Sequence, residues 1–171
     1  GGWPGLAVST EFGGQGLPKV IASAVNEMWD SSNLSFALCP LLSAGAIEAI
    51  ECHGNNRIKG MFLHKLVSGE WSGTMNLTEP QAGSDLSTVS TKAVPEGDHF
   101  RIKGTKIYIT YGDHDLTENI IHLVLARLPG APKGTKGISL FAVPKFLVKD
   151  DGSIGQRNEG QCLSLEEKLG I

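Results

Sequence analysis

Two short stretches hold the residues best suited to chemistry: Met75-Asn76-Leu77-Thr78-Glu79-Pro80-Gln81-Ala82-Gly83-Ser84-Asp85 and Lys106-Ile107-Tyr108-Ile109-Thr110. The first turns from an apolar run, Met75 and Leu77, into a loop of small residues around Gly83, with hydroxyls at Thr78 and Ser84. The second alternates apolar and polar positions and has the β-prone composition of a strand. On a strand, Tyr108 and Thr110 would share a face, with Ile109 on the other. Together these groups suit a flat ligand with a polar rim and a phosphate tail. An aromatic or apolar wall meets the flat face, and hydroxyls and backbone N–H groups meet the rim. A loop poor in side chains lets phosphate approach.

Plainer readings stand beside each of these. Taken alone, the loop from Glu79 to Asp85 is equally a surface connection, and an aromatic in a strand is more often core. Asp85 reads as a loop organiser, its carboxylate accepting nearby backbone N–H groups. Gly13-Gly14-Gln15-Gly16 lacks a preceding strand and an acidic partner further on, so it is a turn and not a dinucleotide fingerprint. Asp113-His114-Asp115 invites a metal reading, but His53, His64, His99 and His122 show no partner spacing, so a solvated loop is expected. Lys133 and Lys136 read as a plain charged loop rather than a phosphate site. Trp3 and Trp71 read as core anchors.

The elements that must position these residues fall into two runs. Residues 1 to about 17 are punctuated by glycine and proline and read as loop. Helices are expected over Pro18 to Trp29 and Ser35 to His53. A third starts after an Asn55 or Asn56 cap and ends near Gly69. Beyond residue 70 the period changes. Strands are expected over Trp71 to Thr78, Thr88 to Val94, Phe100 to Lys103, Lys106 to Thr110, Ile120 to Leu128, Gly137 to Val143 and near Gln161 to Leu165, with a turn at Pro95-Glu96-Gly97-Asp98. The fold class is therefore α+β, a short helical segment followed by an antiparallel β-barrel or sandwich, with a boundary near residue 70.

Composition narrows the function. At 171 residues and 40% hydrophobic the chain can bury a substantial core. A net charge of −3 without like-charge blocks leaves no nucleic-acid footprint. Ile120 to Leu128 is interrupted by His122 and Arg127 and is too short to span a bilayer, so no membrane span is expected. Cys39, Cys52 and Cys162 fit neither a metal site nor a disulfide framework, which points to a reducing, cytoplasmic home.

The two stretches resemble the flavin-binding middle region of the acyl-CoA dehydrogenases, whose T-E-P-x-A-G-S-D loop and K-x-[WYF]-I-T segment match Thr78 to Asp85 and Lys106 to Thr110. Trp3-Pro4 and Glu11-Phe12-Gly13-Gly14-Gln15-Gly16-Leu17 are similar to the start of the family's helical domain. Gly137-Ile138-Ser139-Leu140-Phe141-Ala142-Val143-Pro144 and Lys168-Leu169-Gly170-Ile171 look like a later strand and turn. Gln81 and Tyr111-Gly112-Asp113-His114-Asp115 are most similar to a longer, mostly bacterial branch that includes methylmercaptopropionyl-CoA dehydrogenases. The resemblance covers essentially the whole chain.

The resemblance implies FAD as cofactor. Leu77 and Thr78 would meet the flavin's pyrimidine edge, and Met75 stands where many relatives carry an aromatic against the ring. Gly83 and Ser84 would serve the pyrophosphate, with Ser84 also touching substrate. Tyr108, Ile109 and Thr110 would lie beside the isoalloxazine, the Thr110 hydroxyl near N5. The implied reaction is α,β-dehydrogenation of an acyl-CoA thioester, with hydride passing to N5 and electrons onward to an acceptor. The family's base is a glutamate on a C-terminal helical domain, so no catalytic residue is expected here and Glu79 is not the base. Two domains are implied: 1–70, part of the N-terminal helical domain, and 71–171, the middle β-domain. Surfaces such as Ile120 to Leu128 would face the absent domain, and the parent would be a homo-oligomer. An acyl-CoA oxidase, a flavin monooxygenase on the same scaffold, and a non-catalytic binding module remain as alternatives.

Overall fold

A computed structural model describes residues 3–167. The Lys168 to Ile171 turn lies outside them, as does the side chain of Trp3. The opening segment is a chain of turns. Gly13 and Gly16 take φ of 86° and 63°, and a Cβ on Gly14 would lie 2.2 Å from the Val8 carbonyl oxygen. The glycine run is thus the expected turn, required by left-handed backbone and close approach.

Helix α1 spans Lys19–His53 and is interrupted at Asn33, where φ is −160°. The Asn33 side chain accepts from the Phe36 N–H at 3.0 Å, capping the second half where the sequence predicts a separate helix. By length and composition alone α1 is long and apolar enough to cross a bilayer, a test that core helices also pass. Its second half nevertheless buries Ala37, Cys39, Ala46, Ile47 and Ile50, the placement of a core helix. Helix α2, Asn56–Ser68, is capped by Asn55 and closed by a left-handed Gly69.

The strands are β1 (Trp71–Asn76), β2 (Lys92–Glu96), β3 (His99–Lys103), β4 (Asn119–Arg127), β5 (Ile138–Pro144), β6 (Phe146–Val148) and β7 (Ile154–Arg157). The α+β class is as expected, but the main sheet is mixed. β4 pairs in parallel with β1 and antiparallel with β5. A parallel pairing is open to β1 and β4 because the chain between them is a long crossover, including the β2–β3 hairpin. β6 and β7 form a separate two-stranded sheet. Gln161 to Leu165, expected as a strand, has no regular structure, and Thr88 belongs to a short 3-10 turn ahead of β2.

One apolar cluster joins the helices to the sheet. Ala46, Ile47, Ile50, Phe62, Leu63 and Leu66 pack with Trp71, Ile121 and Leu123. Trp71 is 1% exposed and lies 6.4 Å from the Phe62 ring. Gly73 brings β1 against α1 so closely that a Cβ there would sit 2.4 Å from Ala46 Cβ. Ile120 and Ile121, expected to face an absent domain, are wholly buried, because β4 is flanked by β1 and β5.

Candidate functional site

β1 carries Met75 and Asn76 to its end and releases the chain into Leu77 and Thr78. Met75 is partly buried and packs against the helix–sheet core. Leu77 and Thr78 are half-buried at the sheet's rim. Glu79 then closes a tight turn, exchanging backbone hydrogen bonds with Ala82 at 3.0 and 2.9 Å. This turn lifts Gly83 and Ser84 outward. Both are exposed, and the space a Gly83 Cβ would enter is open. Asp85 organises the loop's exit as expected, its carboxylate accepting from the Ser87 N–H at 2.8 Å.

The second stretch does not form the expected strand. Residues 104–109 have no regular structure, and Tyr108 and Tyr111 take φ of 56° and 51°. Left-handed backbone costs a tyrosine steric energy, so alternation cannot place Tyr108 and Thr110 on one face. Tertiary contacts hold the segment instead. The Ile107 N–H donates to the Thr78 carbonyl at 3.0 Å. The Tyr111 hydroxyl donates to the Ser35 carbonyl at 2.5 Å, tying the segment to α1 just past its interruption. Tyr108 is left 50% exposed, while Ile109 and Thr110 are half-buried.

Glu79 and Lys106 join the two stretches, a role the sequence reading did not give them. The Lys106 ammonium lies 2.8 Å from Glu79 Oε1, with side chains 8% and 1% exposed, and also donates to the Leu77 carbonyl at 3.1 Å. The Glu79 carboxylate further accepts from the N–H groups of Ser90 and Thr91, the Ser90 hydroxyl and the Gln81 amide, at 2.6–3.0 Å. Burial pushes this carboxyl up, but the bonds from Lys106, Thr91 and Ser90 outweigh it and hold it well below the usual carboxylate range. Gln81 thus spends its side-chain donor inside the loop. The readable signal was an acid and a lysine of opposite charge, one in each motif.

Arg127 braces the far side. Its guanidinium donates to the carbonyls of Ser87, Val89 and Gly134 at 2.6, 2.6 and 2.8 Å, pinning the segment that follows Asp85.

In the Asp113-His114-Asp115 loop Asp113 and Asp115 are exposed, but Asp113 and His114 are tied to neighbours. Asp113 pairs with Lys145 at 2.6 Å and Arg157 at 3.1 Å. His114 Nε2 is 3.2 Å from the Ser72 hydroxyl, and its carbonyl accepts from Lys145 at 2.6 Å. Deeper in the same face, Thr74 donates to Asn76 Oδ1 at 2.5 Å and lies 2.7 Å from His122 Nδ1. With the hydroxyl proton committed to Asn76, His122 Nδ1 must be the donor. Burial depresses this imidazole to about 4, so it is neutral at pH 7. Among the described residues no cluster of three His, Cys, Asp or Glu is placed to hold a metal.

The structure therefore brings Leu77 and Thr78 beside the 106–110 segment, while Gly83 and Ser84 stand on the outer loop. Among the described residues, no hydrogen bond links that pair to Thr110, and the hydroxyls of Thr78, Ser84 and Thr110 have no partner. Three unspent hydroxyls, an exposed aromatic ring and an open glycine corner are the groups left available to a polar-edged ligand.

Comparison with known proteins identifies the family. Residues 74–162 match the family model for the acyl-CoA dehydrogenase middle domain, and residues 1–70 match that for the N-terminal domain. The chain is 56% identical over 171 residues to a 3-methylmercaptopropionyl-CoA dehydrogenase of Ruegeria pomeroyi, covering 99% of this chain and 29% of that protein. It is 45% identical to a butyryl-CoA dehydrogenase of Syntrophomonas wolfei, over 91% of this chain and 26% of that protein. Among solved structures, an acyl-CoA dehydrogenase complexed with FAD from Bacillus anthracis superposes with a TM-score of 0.71 at 28% identity, covering 84% of this chain and 24% of that one. The chain thus spans under a third of the length of these relatives, and by its matched domains it belongs to the acyl-CoA dehydrogenase family.

Proposed function

We propose that the whole protein is an FAD-dependent acyl-CoA dehydrogenase and that this chain supplies one wall of its flavin site. The observation that carries the reading is the Ile107–Thr78 hydrogen bond, which sets two family motifs side by side with the hydroxyls of Thr78, Ser84 and Thr110 unspent. Those groups fit the cofactor. Leu77 and Thr78 would meet the pyrimidine edge, with Met75 behind them. Gly83 and Ser84 would receive the pyrophosphate, Ser84 also reaching substrate. Tyr108 and Ile109 would flank the ring, and the Thr110 hydroxyl would hold a hydrogen bond at its central nitrogen edge. When bound, FAD would supply the two-electron acceptor that side chains lack.

The chain's own share is orientation and exclusion of water. Glu79 cannot act as base, because its carboxylate is already wrapped in donors and held ionised. The proton acceptor for the acyl α-carbon would come from elsewhere in the whole protein. An acyl-CoA thioester would be the substrate, methylmercaptopropionyl-CoA is a candidate suggested by the Ruegeria pomeroyi relative, and an electron-transfer protein would drain the flavin. Exposed Val20, Ile21, Met28, Phe36 and Leu41 along α1 offer apolar surface that further chain or another subunit would cover. The free thiols of Cys39, Cys52 and Cys162 suit a reducing cytoplasm.

The test is anaerobic titration of the flavin-loaded whole protein with acyl-CoA. Bleaching of the flavin band, with fast reoxidation by an electron-transfer acceptor and slow reoxidation by oxygen, is expected. Failure to take up FAD, or rapid reoxidation by oxygen, would overturn the dehydrogenase assignment.

A further inference from the structure

Lys106 has acceptors on two different parts of the site. Its ammonium donates to Glu79 Oε1 at 2.8 Å and to the Leu77 carbonyl at 3.1 Å, and the next residue's N–H donates to the Thr78 carbonyl at 3.0 Å. The carbonyls of Leu77 and Thr78 are thus both engaged by residues 106 and 107. Leu77 and Thr78 lie beyond the end of β1, and residues 104–109 belong to no strand. Strand pairing therefore does not set the distance between these two edges.

The ammonium that sets it is nearly buried, and burying a charge is costly unless it is paired and hydrogen-bonded. Glu79 supplies the pairing. It is itself fixed by Ser90 and Thr91 at the approach to β2, so the lysine is referenced to the sheet and not to a mobile loop. A residue needed only to neutralise Glu79 would have no reason to reach Leu77.

We propose that Lys106 is a positioning residue that fixes the separation between the Leu77–Thr78 edge and the Tyr108–Thr110 edge before the cofactor binds. This deepens the flavin reading and rests on it. Preorganisation of this kind lowers the cost of ordering the site on binding.

The experiment uses the whole protein, stripped of flavin and reloaded. FAD affinity is titrated by flavin fluorescence, thermal unfolding of the apo-protein is followed by circular dichroism, and amide exchange is measured over 106–110. In Lys106→Met, FAD binding is expected to weaken about tenfold or more, with faster exchange at Ile107 while the apo-protein stays folded. Lys106→Arg, which keeps a charged donor, is expected to recover most of that loss. Ser90→Ala removes one donor from Glu79 without touching Leu77; it should lower apo stability and leave FAD affinity within about twofold.

The proposal is overturned if Lys106→Met lowers stability but binds FAD like the unmodified protein, or if affinity in Ser90→Ala falls just as far. Should Lys106→Met not fold, Lys106→Arg decides alone. Near-native affinity with protected Ile107 supports positioning, and weak binding despite a native fold overturns it. An unmodified protein that binds no FAD sinks the flavin reading itself, a result visible before any variant is made.

Discussion

Ile107 donates its backbone N–H to the Thr78 carbonyl across 3.0 Å, joining two segments that neither a helix nor a sheet holds together. Every group proposed to meet the ring lies within a few residues of that bond. The Thr78 hydroxyl stands on one side of it and the Thr110 hydroxyl on the other, both without a partner among the described residues.

Because those hydroxyls carry none of the fold, removing them separates binding from stability. Thr110→Ala and Thr78→Val in the whole protein are expected to change unfolding free energy by less than about 0.5 kcal/mol. Each should weaken FAD by roughly fivefold, the worth of one hydrogen bond of about 1 kcal/mol. Urea unfolding of the apo-protein beside a fluorescence titration of FAD checks both halves. Equal affinity in the double variant would remove these residues from the site.

His122 makes stability depend on pH in a defined window. Its folded value of about 4 lies below the ordinary 6.5 because burial penalises the charged ring. The unfolded chain therefore binds the extra proton first. The stabilisation is complete above about pH 6.5 and drains as pH falls toward 4, by on the order of 2–3 kcal/mol. His122→Asn, which keeps a donor for Thr74 and does not titrate, should flatten the urea midpoint across that interval. Glu79, whose carboxyl is depressed, adds a second loss that begins as pH falls into the ordinary carboxylate range, where the unfolded carboxylate takes up its proton, and continues below it.

Gly73 is a packing requirement. A Cβ there would meet Ala46 Cβ at 2.4 Å and approach the Ser43 backbone, forcing α1 away from β1. Gly73→Ala is expected to cost about 1–3 kcal/mol. A lowered melting temperature with FAD affinity changed less than that of Thr110→Ala would show that the strain stays in the core.

Tyr111 couples the site to α1 through its hydroxyl on the Ser35 carbonyl. Tyr111→Phe keeps the ring against His114 and loses only that bond, so about 1 kcal/mol of stability should go. Amide exchange should quicken at both 109–112 and 34–37. Acceleration at one segment alone would mean that the two are not mechanically linked.

The sequence by itself determined the helices and most of the strands, because amphipathic period, the Asn55 cap and the Gly69 stop are local signals. It also offered candidate cofactor residues through their resemblance to family motifs, since the order of hydroxyls, small residues and an aromatic is readable without coordinates. Only the tertiary structure decided that Lys106 to Thr110 is not a strand. Two left-handed tyrosines are stabilised there by contacts to Thr78 and Ser35, and no window of sequence contains those partners. The parallel pairing of β1 with β4 and the Glu79–Lys106 pair were hidden for the same reason. Each joins residues far apart in the chain, and it is burial, a property of the folded whole, that turns an ordinary acid and an ordinary lysine into a joint.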